Sequence, residues 1–169
     1  VQQAAWSEPV PDRSVRLSYL GHAMFLIQTP GGLDIVTDFN GNLHPDAPDP
    51  DVVTMNRAHS SHWTDRVDGI PHVLRGWSDQ FGIAADHYLT LGDALIRNVP
   101  TDIRSLGTVE ENGNSIFVFE AGGLCIAHLG HLHHEPTDEH YATLGRVDVL
   151  LVLVDGSYTM EQAAMMRVV

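Results

Sequence analysis

Two short apolar segments, residues 52–55 and 124–127, each run straight into a His-x-x-His pair: His59/His62 after the first and His128/His131 after the second. Both segments are strand-sized, and their largely apolar character reads as buried strands. A chain built this way needs a fold whose buried strands deliver their end loops to one place, which is where α/β folds put their chemistry. Brought together, the two pairs supply four imidazole nitrogens. That is enough for a closed tetrahedral metal site, or for an open one with one nitrogen withdrawn.

The chain has 169 residues, the size of one ordinary domain, and 43% of them are hydrophobic against 18% charged. This is a globular mixture, able to bury a core. The net charge is −13, there is no Lys, and the nine Arg stand singly, so a nucleic-acid partner is excluded for want of a basic face. Cys125 is the single cysteine, lies in an apolar run, and rules out an internal disulfide framework. The longest apolar run, residues 149–154, is far shorter than the roughly 20 residues of a membrane span. Eleven histidines are present and five fall between His128 and His140, so they are clustered as metal ligands are. A soluble protein is expected, either cytoplasmic or exported after removal of a signal.

Residues 1–14 read as a lead-in, and 15–169 as one mixed α/β domain. Residues 15–19, 23–27 and 33–37 have strand patterns, the last two parted by Thr29-Pro30-Gly31-Gly32, which predicts a β-meander. Residues 39–51 are a loop rich in Asn, Gly, Pro and Asp. A further strand block covers 87–99 with a turn at Gly92-Asp93, and 115–119 pairs with 124–128 around Ala121-Gly122-Gly123 after a turn at Asn112-Gly113-Asn114. Residues 136–144 are helical, with Thr137 as N-cap and Gly145 as stop. Residues 147–154 form a buried strand, and Thr159-Met160-Glu161-Gln162 has the spacing of a capping box opening a last helix. That helix meets no stop signal before Val169, so a C-terminal part is expected to be missing.

Tyr19-Leu20-Gly21-His22-Ala23, Thr37-Asp38 and the strand entering a His-rich loop resemble the metallo-β-lactamase superfamily, in its ascorbate-6-phosphate lactonase-like branch. Gly113-Asn114, His128-Leu129-Gly130, residues 147–151 and Gly156-Ser157-Tyr158-Thr159-Met160 extend the resemblance over nearly the whole chain. It implies an αββα sandwich and a hydrolase. The family's His-x-His-x-Asp-His aligns with residues 57–62, where Arg57 replaces the first histidine and Ser61 the aspartate. Its His-x-Gly-Asp becomes His128-Leu129-Gly130-His131, so His131 stands where an aspartate would bridge two metals, and a final family histidine lies beyond Val169 or is absent. Without both carboxylates the charge that holds two dications together is gone. The expected site is thus a single ion on His59, His62, His128 and His131. Zinc fits four nitrogens best, with manganese, iron, nickel and copper as alternatives.

The remaining candidates have paired readings. His22, at the family's Gly-His position, is either at the floor of the site or a structural group. Asp38 is either a hydrogen-bonding support for the ligands or a turn cap before Asn40-Gly41. Arg57 either grips an anionic substrate or is solvated, and Asp65 either supplies a carboxylate or begins a helix. Ser61, His133 and His134 are candidates for support around the ligands. Asp38, Asp65 or Glu135 would have to act as base, or the metal alone would suffice. Trp63 and Trp77 either line a pocket or pack in the core. The expected function is metal-dependent hydrolysis of a small-molecule ester, lactone or phosphoester. The alternative is a non-catalytic metal-binding protein on a degenerate hydrolase scaffold.

Overall fold

The computed structural model describes residues 6–80, 82–105, 108–154 and 159–169. Residues 1–5 of the lead-in, and Gly156, Ser157 and Tyr158 of the last motif, lie outside these. Ten strands and two helices form: β1 Arg16–Gly21, β2 Met24–Gln28, β3 Asp34–Val36, β4 Val52–Met55, β5 His72–Arg75, β6 Tyr88–Leu91, β7 Ala94–Ser105, β8 Thr108–Ala121, β9 Leu124–His128, α1 Asp138–Leu144, β10 Val149–Leu151 and α2 Gln162–Val168. They make two five-stranded sheets, ordered β1-β2-β3-β4-β5 and β10-β9-β8-β7-β6. Both are mixed. β1, β2 and β3 pair antiparallel as the expected meander, β4 and β5 continue in parallel, and β10 pairs parallel with β9.

Period-two alternation sorts the strand residues into three cores. Ile27, Ile35 and Val52 of the first sheet face Ile96, Phe117, Phe119 and Ile126 of the second, and this layer joins the sheets. Their neighbours turn outward. Ile116, Val118 and Ala127 pack under Leu144 of α1 and Met165 of α2. Leu26, Val36 and Val53 pack under a cover that includes Trp6, Leu43, Trp63 and Trp77. The result is a four-layer α/β sandwich in which loops, among the described residues, stand where a helical layer would cover the first sheet. Trp63 and Trp77 meet edge-to-face at 6.1 Å in that cover.

Several elements depart from the sequence expectations. β5 has no alternation to reveal it, because its four residues are all half-buried. Asn112-Gly113-Asn114 lies inside β8 and forms no turn. Asn112 takes φ 56° and the β7–β8 register shifts between Thr101 and Ile103, so this stretch is an irregularity in a long hairpin. Residues 65–71 form no helix, which removes that role for Asp65. β10 keeps only three of the eight residues 147–154. α2 starts at Gln162 with Glu161 at its cap and no side-chain cap bond, so the Thr159 capping box does not form. α1 forms as expected: Thr137 caps the backbone N–H of His140, and the His140 ring accepts from the Thr137 N–H in return.

Gly130 fixes the path of the loop leaving β9. Its φ is 60°, and a Cβ there would lie 2.6 Å from Asn114 Oδ1 and also clash with Asn56 Nδ2. Gly130→Ala is therefore expected to destabilise the protein by about 2 kcal/mol or more, read as a lower urea midpoint. An unchanged midpoint would refute this role for the loop backbone.

Candidate metal centre

Three chain segments bring histidines to one end of the sandwich. His22 sits at the tip of the β1–β2 hairpin with φ 51°, a left-handed conformation that His tolerates better than most residues. His59 and His62 follow β4, and His131 follows β9. One ring nitrogen from each of His22, His59 and His62 lies within 4.8 Å of the others. His22 Nε2 is 3.2 Å from His62 Nε2 and 2.9 Å from Ser61 Oγ, whose hydroxyl is also 2.6 Å from His59 Nδ1. His131 packs beside the group, stacked on His62 at 4.7 Å between ring centroids and edge-on to His59 at 5.2 Å.

The buried support below the cluster explains its geometry. Asp38 has no solvent exposure and takes φ 43°, strain of the kind stored at functional positions. Its Oδ2 accepts from His62 Nδ1 at 2.7 Å and its Oδ1 from Asn56 Nδ2 at 3.0 Å. The bond from Nδ1 leaves the Nε2 lone pair of His62 facing His22, the orientation a carboxylate imposes on a metal-ligating histidine. Asn56 is held in turn by the Ser115 N–H, and the His131 N–H donates to Asn114 Oδ1 at 2.7 Å. Burial works against the Asp38 charge, yet His128 and His62 beside it hold the carboxyl below its ordinary value. Burial drives His131 down to about 3, assisted by the neighbouring imidazoles of His62, His133 and His59.

A metal ion fits this donor set on two counts. His131 Nδ1 is buried and has no hydrogen-bond partner, a costly state for a ring nitrogen unless something binds it. The two facing Nε2 atoms of His22 and His62 repel unless a proton or a cation stands between them. The ligand chemistry, neutral imidazole from His22, His59 and His62 with His131 beside them, suits zinc or another late first-row metal.

The other residues singled out by sequence lie elsewhere. His128 is turned between the sheets: Nε2 donates to the Ala23 carbonyl at 3.1 Å and Nδ1 accepts from the Gly130 N–H at 3.2 Å. Both ring nitrogens are thus engaged by backbone, and His128 does not join the cluster, whereas His22 does. Arg57 reaches away to Glu110 at 3.1 Å, and Asp65 is an exposed partner of Arg75 at 3.6 Å, so neither faces the histidines. His133 is buried 4.7 Å from the His131 ring. His134 is exposed and lines a separate cavity with Glu135, which pairs with Arg167. Asn56 and Asn114 are the supports that sequence reasoning missed; Asn114 is legible only as part of the Gly113-Asn114 motif.

A cavity of about 630 Å³ opens over the cluster. Its lining combines His22, His59, His62 and His131 with Tyr19, Phe25, Val152, Leu153 and Val154. A two-sheet α/β sandwich carrying a histidine cluster on its strand-end loops is an architecture found among metal-dependent enzymes, hydrolases included. The chain belongs to the metallo-β-lactamase superfamily, since the model of the beta-lactamase superfamily domain matches residues 16–169. Among solved structures, it is similar to a protein of that superfamily from Thermotoga maritima assigned as a Zn-dependent hydrolase: 26% identity, TM-score 0.63, covering 92% of this chain and 69% of that one. It is also similar in fold to a protein from Parabacteroides distasonis assigned as a metal-dependent hydrolase, at 13% identity and TM-score 0.68, covering 91% and 76%. A diiron β-hydroxylase from Streptomyces venezuelae shares the fold at 18% identity and TM-score 0.62, over 85% of this chain and 35% of that one. No curated protein matches the sequence significantly. No described helix is long and apolar enough to cross a membrane.

The burial of His131 sets a pH dependence for the metal-free protein. Its folded pKa, about 3, lies below the ordinary 6.5, so between these values the unfolded chain binds more protons. Stability is complete above about pH 6.5 and is lost as the pH falls toward 3; His128, also lowered by burial, acts in the same direction. Allowing for solvent screening, His131 should contribute a loss of about 1–2 kcal/mol between pH 7.5 and 5 in urea unfolding of chelator-treated protein. His131→Gln should remove that part of the slope; an equally steep variant would refute the assignment.

Proposed function

We propose that this protein is a single-metal hydrolase of small-molecule esters and lactones, with zinc as the ion that suits the site best. His22, His59, His62 and His131 would hold the metal, and the orphaned Nδ1 of His131 is the observation that carries the reading. Zinc on such ligands supplies Lewis acidity and lowers the pKa of water toward about 7. Asp38 keeps the proton of His62 on Nδ1 and so presents the Nε2 lone pair to the site; Asn56 keeps Asp38 in place. The Ser61 hydroxyl spaces His22 from His59. No carboxylate lines the cavity among the described residues and the four imidazoles would be committed to the ion, so the proton of the attacking water would pass to solvent. This supports the view that the site is a degenerate, one-ion version of a two-metal site, with His131 in place of a bridging aspartate. Membership of the lactonase-like branch is part of the same proposal, carried by the motif resemblance.

The non-catalytic alternative, a closed four-histidine metal store, differs in having no position left for water or substrate. The open cavity above His22 and His59 favours the hydrolase. Elemental analysis of protein purified without added metal should give about one ion per chain, and His59→Ala should weaken metal affinity at least tenfold. A count near two would overturn the one-ion site. Metal-loaded protein should hydrolyse members of an ester and lactone panel and lose that activity to a chelator. Full occupancy without any turnover would favour the metal store. His131→Asp should recruit a second ion if the site is degenerate.

A further inference from the structure

We propose that the cavity selects uncharged esters and lactones bearing a medium-length apolar chain, and rejects phosphorylated or carboxylated ones. This rests on the hydrolase reading above and deepens it. Besides the histidines, the lining is Tyr19, Phe25 and residues 152–154, with Tyr19 and Phe25 rings 5.3 Å apart. Tyr19 is 64% exposed and Val154 65% exposed, so they add little to any core and are placed to cover a ligand entering the mouth. The volume of about 630 Å³ is that of an ordinary small-molecule pocket.

Charge argues in the same direction. No Arg lines this cavity among the described residues, and the chain has no Lys. Arg57, adjacent in sequence to the histidine loop, is committed to Glu110 and lines a different cavity. A net charge of −13 further disfavours the approach of anions. A phosphorylated substrate would have to leave its charge against Tyr19, Phe25 and Val152–Val154 side chains that offer it no cation, whereas an alkyl chain gains by burial there. In the reaction, the oxygen of water bonds to the carbonyl carbon, the acyl C–O bond breaks, and a proton reaches the departing alkoxide, giving an acid and an alcohol.

The test uses the full metal-loaded chain with p-nitrophenyl acetate, butyrate and hexanoate against p-nitrophenyl phosphate, and calorimetric binding of 2-octanone, which is not hydrolysed. kcat/KM should rise about three- to fourfold per added methylene until the wall is covered. The phosphate ester should be a far poorer substrate than the hexanoate. The double variant Tyr19→Ser/Val154→Ser should lower the rate on hexanoate about tenfold more than on acetate and weaken 2-octanone binding. Both positions are exposed, so the fold should survive. A series flat in chain length, or a preference for the phosphate ester, would overturn the apolar selection while leaving the hydrolase intact. Variant-sensitive binding of 2-octanone without turnover of any ester would uphold the pocket and overturn the hydrolase.

Discussion

The buried carboxylate of Asp38 is the constraint on which the metal centre depends. An unpaired charge in that position would be costly to bury, so the surrounding structure is committed to satisfying it. His62 takes one oxygen and Asn56 the other, and each is itself anchored to a different part of the fold. Asn56 accepts from the Ser115 backbone on β8, which ties the loop after β4 to the second sheet. His128 adds a strut from the end of β9 to the Ala23 carbonyl beside β2. Breaking any one of these contacts leaves a buried polar group without its partner, so the site and the sheet-to-sheet junction stand or fall together.

The same network explains why the cluster is both rigid below and open above. His62 and His131 are almost wholly buried, while His22 and His59 are exposed to the cavity. Rigid buried ligands with exposed companions are what an ion needs in order to be held and still to meet a substrate. The strain at His22 and Asp38, both at positive φ, is tolerated because the hairpin tip and the network over-determine those residues.

Much of the fold was legible from period-two patterns. β1 to β4, β9 and α1 lie close to where alternation, turn residues and caps place them, because these signals are local. β5 and the first part of β8 were missed: one lacks alternation and the other contains Asn112-Gly113-Asn114, a turn-like tripeptide accommodated by a long hairpin with an irregular register. The Thr159 capping box failed because its spacing was present but the helix starts two residues past the expected first turn.

For the site, the sequence by itself determined that histidines at strand ends would meet, since buried strands of one sandwich must deliver their loops to a common end. Which histidines meet was decided by tertiary structure. His128 and His131 stand three residues apart, and no local rule distinguishes them. The left-handed turn at Gly130 sends His131 toward His62, while the side chain of His128 is spent on backbone groups between the sheets. His22 joins from 37 residues before His59 only because the β1–β2 hairpin folds beside β4 through β3. Long-range packing of this kind leaves no trace in spacing, and it gathers His22, His59 and His62 with His131 beside them while leaving His128 between the sheets.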